Sequence, residues 1–276
     1  MLSDQSKKLL AHPQALCNII RRIVVAAGDI TLQYFDEAGM DESFYTNKSD
    51  GSPVTRADIE AEAHIIEELK KLLPDVPVVA EEAYSRGEIP ELSGHDYFFL
   101  IDALDGTRQF KNGDAHYTVN VALVHNGEPL IGVVFAPARG ELYAACGPGT
   151  AIRWLADNDN EKSIKVRRPP HGGLTVVASK DHGQSQQMDD FLSVHKIAKR
   201  ISMGSSLKIC FIAAGKADLY PRFGETSEWD TAAADAVLRA AGGIITDLNG
   251  RPFTYGKHGN KFINPEFIAR SQDLAL

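Results

Sequence analysis

The apolar segments of this chain are short, and that limits its fold more than any other feature. Residues 76–80, 97–101, 117–124, 130–135 and 141–145 are each strand-length and set apart by turn residues, with Asn126-Gly127 marking a hairpin. None approaches the roughly 18 apolar residues of a membrane span, so no transmembrane segment is expected. Helical patterns surround them. Over 13–35, Leu16, Ile19, Ile20, Ile23, Val24 and Ala27 recur at helical spacing, with Arg21 and Arg22 on the polar side. The polar stretch 41–53 has the composition of a loop, and Thr55, three residues before Asp58, caps a second helix over 57–73.

The second half alternates. It reads as a strand over 174–178, a helix from about 184 to 194, a helix over 205–214, a strand over 218–221, a helix over 231–241 and a strand over 244–247. Charge and Asn concentrate at 157–162, which divides the chain into an α+β half over 1–157 and an α/β half over 158–276. No internal repeat or low-complexity segment is present.

A formal charge of −8 opposes nonspecific attraction to nucleic acid or an anionic membrane, so an anionic substrate must be met by recruited positive charge. Cys17, Cys146 and Cys210 form no CxxC pair and lie in apolar runs, which fits a reducing compartment and argues against a zinc or disulfide framework. Residues 1–8 are polar and do not read as a secretory signal. The expected location is the cytoplasm, with peripheral attachment to the cytoplasmic face of the inner membrane as an open alternative.

Three acidic groups stand at element boundaries. Glu81-Glu82 follows the apolar run 76–80, Asp102-Ala103-Leu104-Asp105-Gly106-Thr107 follows 97–101, and Trp229-Asp230 opens a helix. An acid directly after a buried strand has rigid backbone beneath it and solvent in front, which suits a hard metal ion. Magnesium takes oxygen ligands and is held by a few carboxylates plus substrate phosphate. Asp102 and Asp105 are placed to face two adjacent ions, with the Leu104 carbonyl between them. In two-metal sites such ions lie ~3.5–4 Å apart and stabilise attacking and leaving oxygens together. Gly106 and Thr107 follow at a helix start, where free N–H groups suit a phosphate. Taken singly, each piece has a plainer reading as a solvated loop acid, a helix cap or a packing Trp. Their joint occurrence at three boundaries favours the metal reading.

At these residues the sequence resembles the inositol monophosphatase superfamily of lithium-sensitive, magnesium-dependent phosphatases. The motifs are Ala80-Glu81-Glu82, the Asp102–Thr107 run DALDGT, and WDTAAADAV from Trp229, and the likeness extends from Asp50 to the INPEF stretch at Ile263. GSSLK from Gly204, LYPRFG from Leu219 and EWDTAA from Glu228 look like the adenosine 3',5'-bisphosphate nucleotidases within it. The resemblance implies a layered αβαβα sandwich and release of AMP and phosphate from that nucleotide, recycling a by-product of sulfate assimilation.

It further implies metal ligation of two or three Mg2+ by Glu81, Asp102, the Leu104 carbonyl, Asp105 and Asp230. Gly106 and Thr107 would contact the scissile phosphate, and Asp58 would assist a further metal or the attacking water. Glu81, Asp58 and Thr107 are then the catalytic group. Ser205, Lys208 and Arg222 join Glu81, Leu104, Asp105, Gly106, Thr107 and Asp230 around a small-molecule substrate. Arg222 would grip an oxyanion bidentately and Lys208 would act as a point charge. His182 is a further candidate for the nucleotide, and His116 has no assigned role. The chain departs from the pattern at Ala80, where relatives often carry Gly or Ser, and at Ala103, where Pro is commoner; neither change removes a ligand. Two alternatives remain open: a phosphatase of the same fold acting on inositol monophosphate or a sugar bisphosphate, and a metal-binding regulatory protein without catalysis.

Overall fold

A computed structural model describes residues 2–36, 39, 45–47, 53–180, 185–256 and 261–275. The first half opens with helices α1 (Asp4–Leu10) and α2 (Pro13–Leu32), a two-stranded ribbon of β1 (Tyr45–Asn47) and β2 (Pro53–Thr55), and helix α3 (Arg56–Leu72). Strand β3 (Val78–Ala80), helix α4 (Glu81–Ser85), strand β4 (Tyr97–Asp105) and helix α5 (Thr107–Lys111) follow. Then come β5 (Thr118–His125), β6 (Glu128–Ala136), β7 (Glu141–Ala145), β8 (Ile152–Leu155) and β9 (Asn160–Ser163). Strands β3 to β9 form one sheet in sequence order, parallel only at β3–β4.

The remainder contains β10 (Leu174–Ser179), α6 (Gln186–Ser193), β11 (Ile197–Met203), α7 (Leu207–Ala213), β12 (Leu219–Arg222), α8 (Glu228–Ala240), β13 (Gly243–Asp247) and β14 (Phe267–Ser271). Its sheet has the order β11-β10-β12-β14-β13.

Alternation along the strands decides the layering, because successive side chains leave opposite faces. On β4, Phe99 and Ile101 join a core with Leu16, Ile20 and Val24 of α2 and Ile65 and Leu69 of α3. Phe98 and Leu100 face the other way, into a core with Leu207 and Ile209 of α7, Ala233 and Val237 of α8, and Val177, Tyr220 and Phe267 of the second sheet. The second sheet divides likewise, with Val176 and Ile268 turned away toward Met188 and Leu192 of α6. The layers therefore run α2/α3, seven-stranded sheet, α7/α8, five-stranded sheet, α6, which is the expected αβαβα sandwich.

Several expectations shift. The stretch read as a loop over 41–53 contributes β1 and the start of β2, which pair antiparallel. The helix expected from 205 starts at Leu207, because Ser205 has φ 53° and cannot be helical. Strands β8, β9, β11 and β14 were not anticipated. The division at 157–162 falls at the turn between β8 and β9 and on β9 itself, and the five-stranded sheet begins at Leu174. The Asn126-Gly127 hairpin stands as read, with both residues at positive φ between β5 and β6. Among the described residues no helix is long and apolar enough to cross a membrane.

Candidate active site

Strand β4 ends in a bulge. Asp102 pairs with Asn120 and Asp105 with Thr118, so three steps on β4 oppose two on β5. Residues three apart on a regular strand point to opposite faces, and the extra residue allows both aspartates to be turned toward one side. Gly106 then takes φ 94°, where a side chain is strained, and starts α5 with Thr107 as its first residue.

Three elements converge there. Glu81 is the first residue of α4, Asp102 ends the regular pairing of β4, and Asp230 is the third residue of α8. One carboxylate oxygen of each lies within 4.8 Å of the others. Burial pushes Asp102 well above the usual carboxylate range, and the charges of Glu81, Asp105 and Asp230 push it further. Asp230 is raised in the same way by burial, then by Asp105 and Glu81, against the opposing pull of the Ser227 N–H bond and Arg222. Carboxylates held so close without a cation among them repel one another, and a divalent ion removes that repulsion. The donor set fits an oxygen-preferring metal.

Asp105 stands beside this trio. Its Oδ2 accepts the Ser206 backbone N–H at 2.6 Å and lies 2.7 Å from the Ser206 hydroxyl, which is also 2.7 Å from the Asp230 carbonyl. Asn120 Nδ2 donates to Ser206 Oγ at 2.8 Å. The Leu104 carbonyl lies 3.2 Å from the Thr107 hydroxyl, and Asp58 Oδ1 lies 3.3 Å from it, so the single hydroxyl proton goes to one of the two. Asp58 Oδ2 meanwhile closes the capping box of α3, accepting the Thr55 N–H at 2.8 Å. Burial raises Asp58 to about 7, the Thr55 hydrogen bonds oppose the rise, and the charges of Glu82 and Glu81 add to it.

Beside the acids is a cavity of about 140 Å³ lined by Asp105, Gly106, Ser205, Lys208, Arg222 and Asp230, among others. Lys208 is buried, donates to the Ser205 carbonyl at 2.6 Å, and lies 5.3 Å from the centre of the Tyr220 ring. Arg222 ends β12 and donates to the carbonyls of Gly224 (3.3 Å) and Glu225 (3.0 Å). The His116 ring is bound to Asp114, which also pairs with Lys180, and His182 lies outside the described residues. All three cysteines are free and buried.

Sequence reasoning missed Glu62 and Ser206. Glu62, 1% exposed, accepts the backbone N–H groups of Glu82 and Ala83. The available signal was an acid on the apolar stripe Ala57, Ala61, Ile65, Leu69 of α3, one turn after Asp58. Ser206 lies inside the GSSLK stretch, but its hold on Asp105 was not legible there, since the two are remote in sequence.

Three facing carboxylates able to hold a divalent cation, beside a cavity that carries its own Lys and Arg within a five-layer sandwich, fit a phosphatase that works through metal ions. The profile of the inositol monophosphatase family matches residues 12–271, and the chain belongs to that family. It is 39% identical over 254 residues to the 3'(2'),5'-bisphosphate nucleotidase CysQ of Escherichia coli K12, covering 91% of this chain and 96% of that protein. Its identity to CysQ of Salmonella typhimurium LT2 is 40% over 256 residues, covering 92% and 97%. The crystal structure of CysQ from Bacteroides thetaiotaomicron superposes with a TM-score of 0.78 at 29% identity, covering 95% and 98% of the two chains.

Proposed function

We propose that this phosphatase is a magnesium-dependent, lithium-sensitive 3'(2'),5'-bisphosphate nucleotidase that converts adenosine 3',5'-bisphosphate to AMP and phosphate. The observation that carries the reading is the shared cavity: the wall formed by Asp105 and Asp230 also presents Lys208 and Arg222. A bisphosphate brings more negative charge than the metal site alone would balance, and these two cations are the groups that meet the excess. The CysQ relatives, similar over nearly their whole length, carry the same activity in their names.

Glu81, Asp102 and Asp230 would hold the metal, with Asp105 and the Leu104 carbonyl completing the oxygen set. Bound divalent ions supply acidification of water and neutralisation of charge on the leaving oxygen. The chain's own residues do the rest. Gly106 and Thr107 present backbone N–H groups to the scissile phosphate. The Thr107 hydroxyl, within reach of Asp58 Oδ1, orients the attacking water by accepting its hydrogen bond, and Asp58 receives the proton. Ser205, Lys208 and Arg222 hold the remainder of the nucleotide.

The test is phosphate release from adenosine 3',5'-bisphosphate beside inositol 1-phosphate and fructose 1,6-bisphosphate, with magnesium and then with lithium. Fast, lithium-inhibited turnover of the nucleotide alone supports the reading. Preference for an inositol or sugar phosphate replaces the substrate while keeping the metal site, and absence of all turnover refutes catalysis.

A further inference from the structure

Helix α4 is a five-residue helix that begins with Glu81, and its N-cap, Ala80, makes no side-chain hydrogen bond to it. The leading N–H groups of a helix need acceptors, and here they come from another helix. Glu62 Oε2 accepts the Glu82 N–H at 2.7 Å and Oε1 accepts the Ala83 N–H at 2.8 Å. The two bonds use both oxygens of one buried carboxylate, so they fix the first turn of α4 in angle as well as in position. At the other end of α4, its C-cap residue Arg86 places Nη2 3.6 Å from Glu62 Oε1.

Glu62 follows Asp58 by one helical turn, so both carboxylates leave the same face of α3. Asp58 reaches Thr107 while Glu62 reaches the turn that carries Glu81. A single helix thereby ties together two parts of the site that lie on different elements, α4 and α5.

We propose that Glu62 is a positioning residue for the metal site, presetting Glu81 against Asp102 and Asp230 without touching metal or substrate. The proposal rests on the metal-binding reading of the acid trio. Residues that orient metal ligands typically carry about 10- to 100-fold in affinity, and a residue that only stabilised the fold would carry none.

The experiment is calorimetric titration of the metal-free protein with Mg2+ alone, for wild type, Glu62→Gln, Glu62→Asp and Arg86→Ala, alongside thermal unfolding in chelator. Glu62→Gln keeps the shape but retains one acceptor and turns an NH2 group toward a backbone N–H. Its Mg2+ Kd is expected to rise at least about 10-fold, and kcat at saturating Mg2+ is expected to return to within about threefold of wild type. Glu62→Asp keeps charge and acceptors one methylene short, so it folds more readily and should raise Kd by a smaller factor. Arg86→Ala should leave Kd within about twofold. A lowered unfolding midpoint with unchanged Mg2+ Kd in both Glu62 variants overturns the proposal. Failure of wild type to bind Mg2+ would instead overturn the metal reading beneath it.

Discussion

At Gly132, β6 of the seven-stranded sheet approaches α8, the helix that carries Asp230, too closely for any side chain. A Cβ added there would stand 2.1 Å from the Ala233 carbonyl oxygen and 2.6 Å from the Ala236 Cβ, both on α8. Neither neighbour can rotate away, one being backbone and the other a methyl group. A carbon–oxygen contact tolerates ~3.3 Å, so Gly132→Ala must part β6 and α8 by about 1.2 Å. Overpacking of this kind costs about 1–3 kcal/mol, which for a chain of 276 residues lowers the unfolding midpoint by about 2–5 °C. The larger effect falls on function, because Asp230 is the third residue of α8 and moves with it. A misplacement of about 1 Å costs on the order of 100-fold in turnover. Thermal unfolding and phosphate release measured together test this, with Gly172→Ala as the control, since a Cβ at Gly172 meets nothing within 4 Å. A Gly132→Ala protein with wild-type midpoint and turnover would refute the close contact. A lowered midpoint with turnover within twofold would refute its transmission to Asp230.

Three further outcomes are expected. Asp105→Asn should lower turnover at least about 100-fold while the unfolding midpoint stays within a few degrees, because the amide keeps one acceptor for Ser206; near-normal activity would remove Asp105 from the site. Arg222→Ala should raise KM for the bisphosphate nucleotide much more than for a simple phosphate ester, and equal changes for the two would exclude Arg222 from selectivity. Asp58 ordinarily titrates at 3.8 but is raised to about 7 in the fold, so its contribution to stability is complete below 3.8 and is lost as pH rises through 7. In chelator, the stability difference between wild type and Asp58→Asn should therefore move toward the Asn variant between pH 4 and 8, by up to about 4 kcal/mol. Denaturant titrations at the two pH values read it directly, and a shift toward wild type would contradict the raised value.

The sequence by itself determined the acids and the order of their supporting elements. Apolar runs ending in Glu81 and Asp102, and the helix bearing Asp230, are local patterns, because strand burial writes itself into consecutive residues. The cap formed by Thr55 and Asp58 was legible for the same reason, as its partners are three residues apart. Two edge strands of the large sheets were not legible, although the other two, β3 and β13, were. β9 and β11 close the ends of their sheets and are mostly exposed, so neither carries an apolar alternation. Only the tertiary structure decided how the acids meet. The bulge that turns Asp102 and Asp105 together is a property of pairing with β5, and Ser206 holds Asp105 across 101 residues of chain. Glu62 reads as one more helical acid until α4, 20 residues on, is folded against it. Side chains whose partners are distant in sequence leave no periodic trace, since their hydrogen bonds depend on the packing of whole layers and not on the residues beside them.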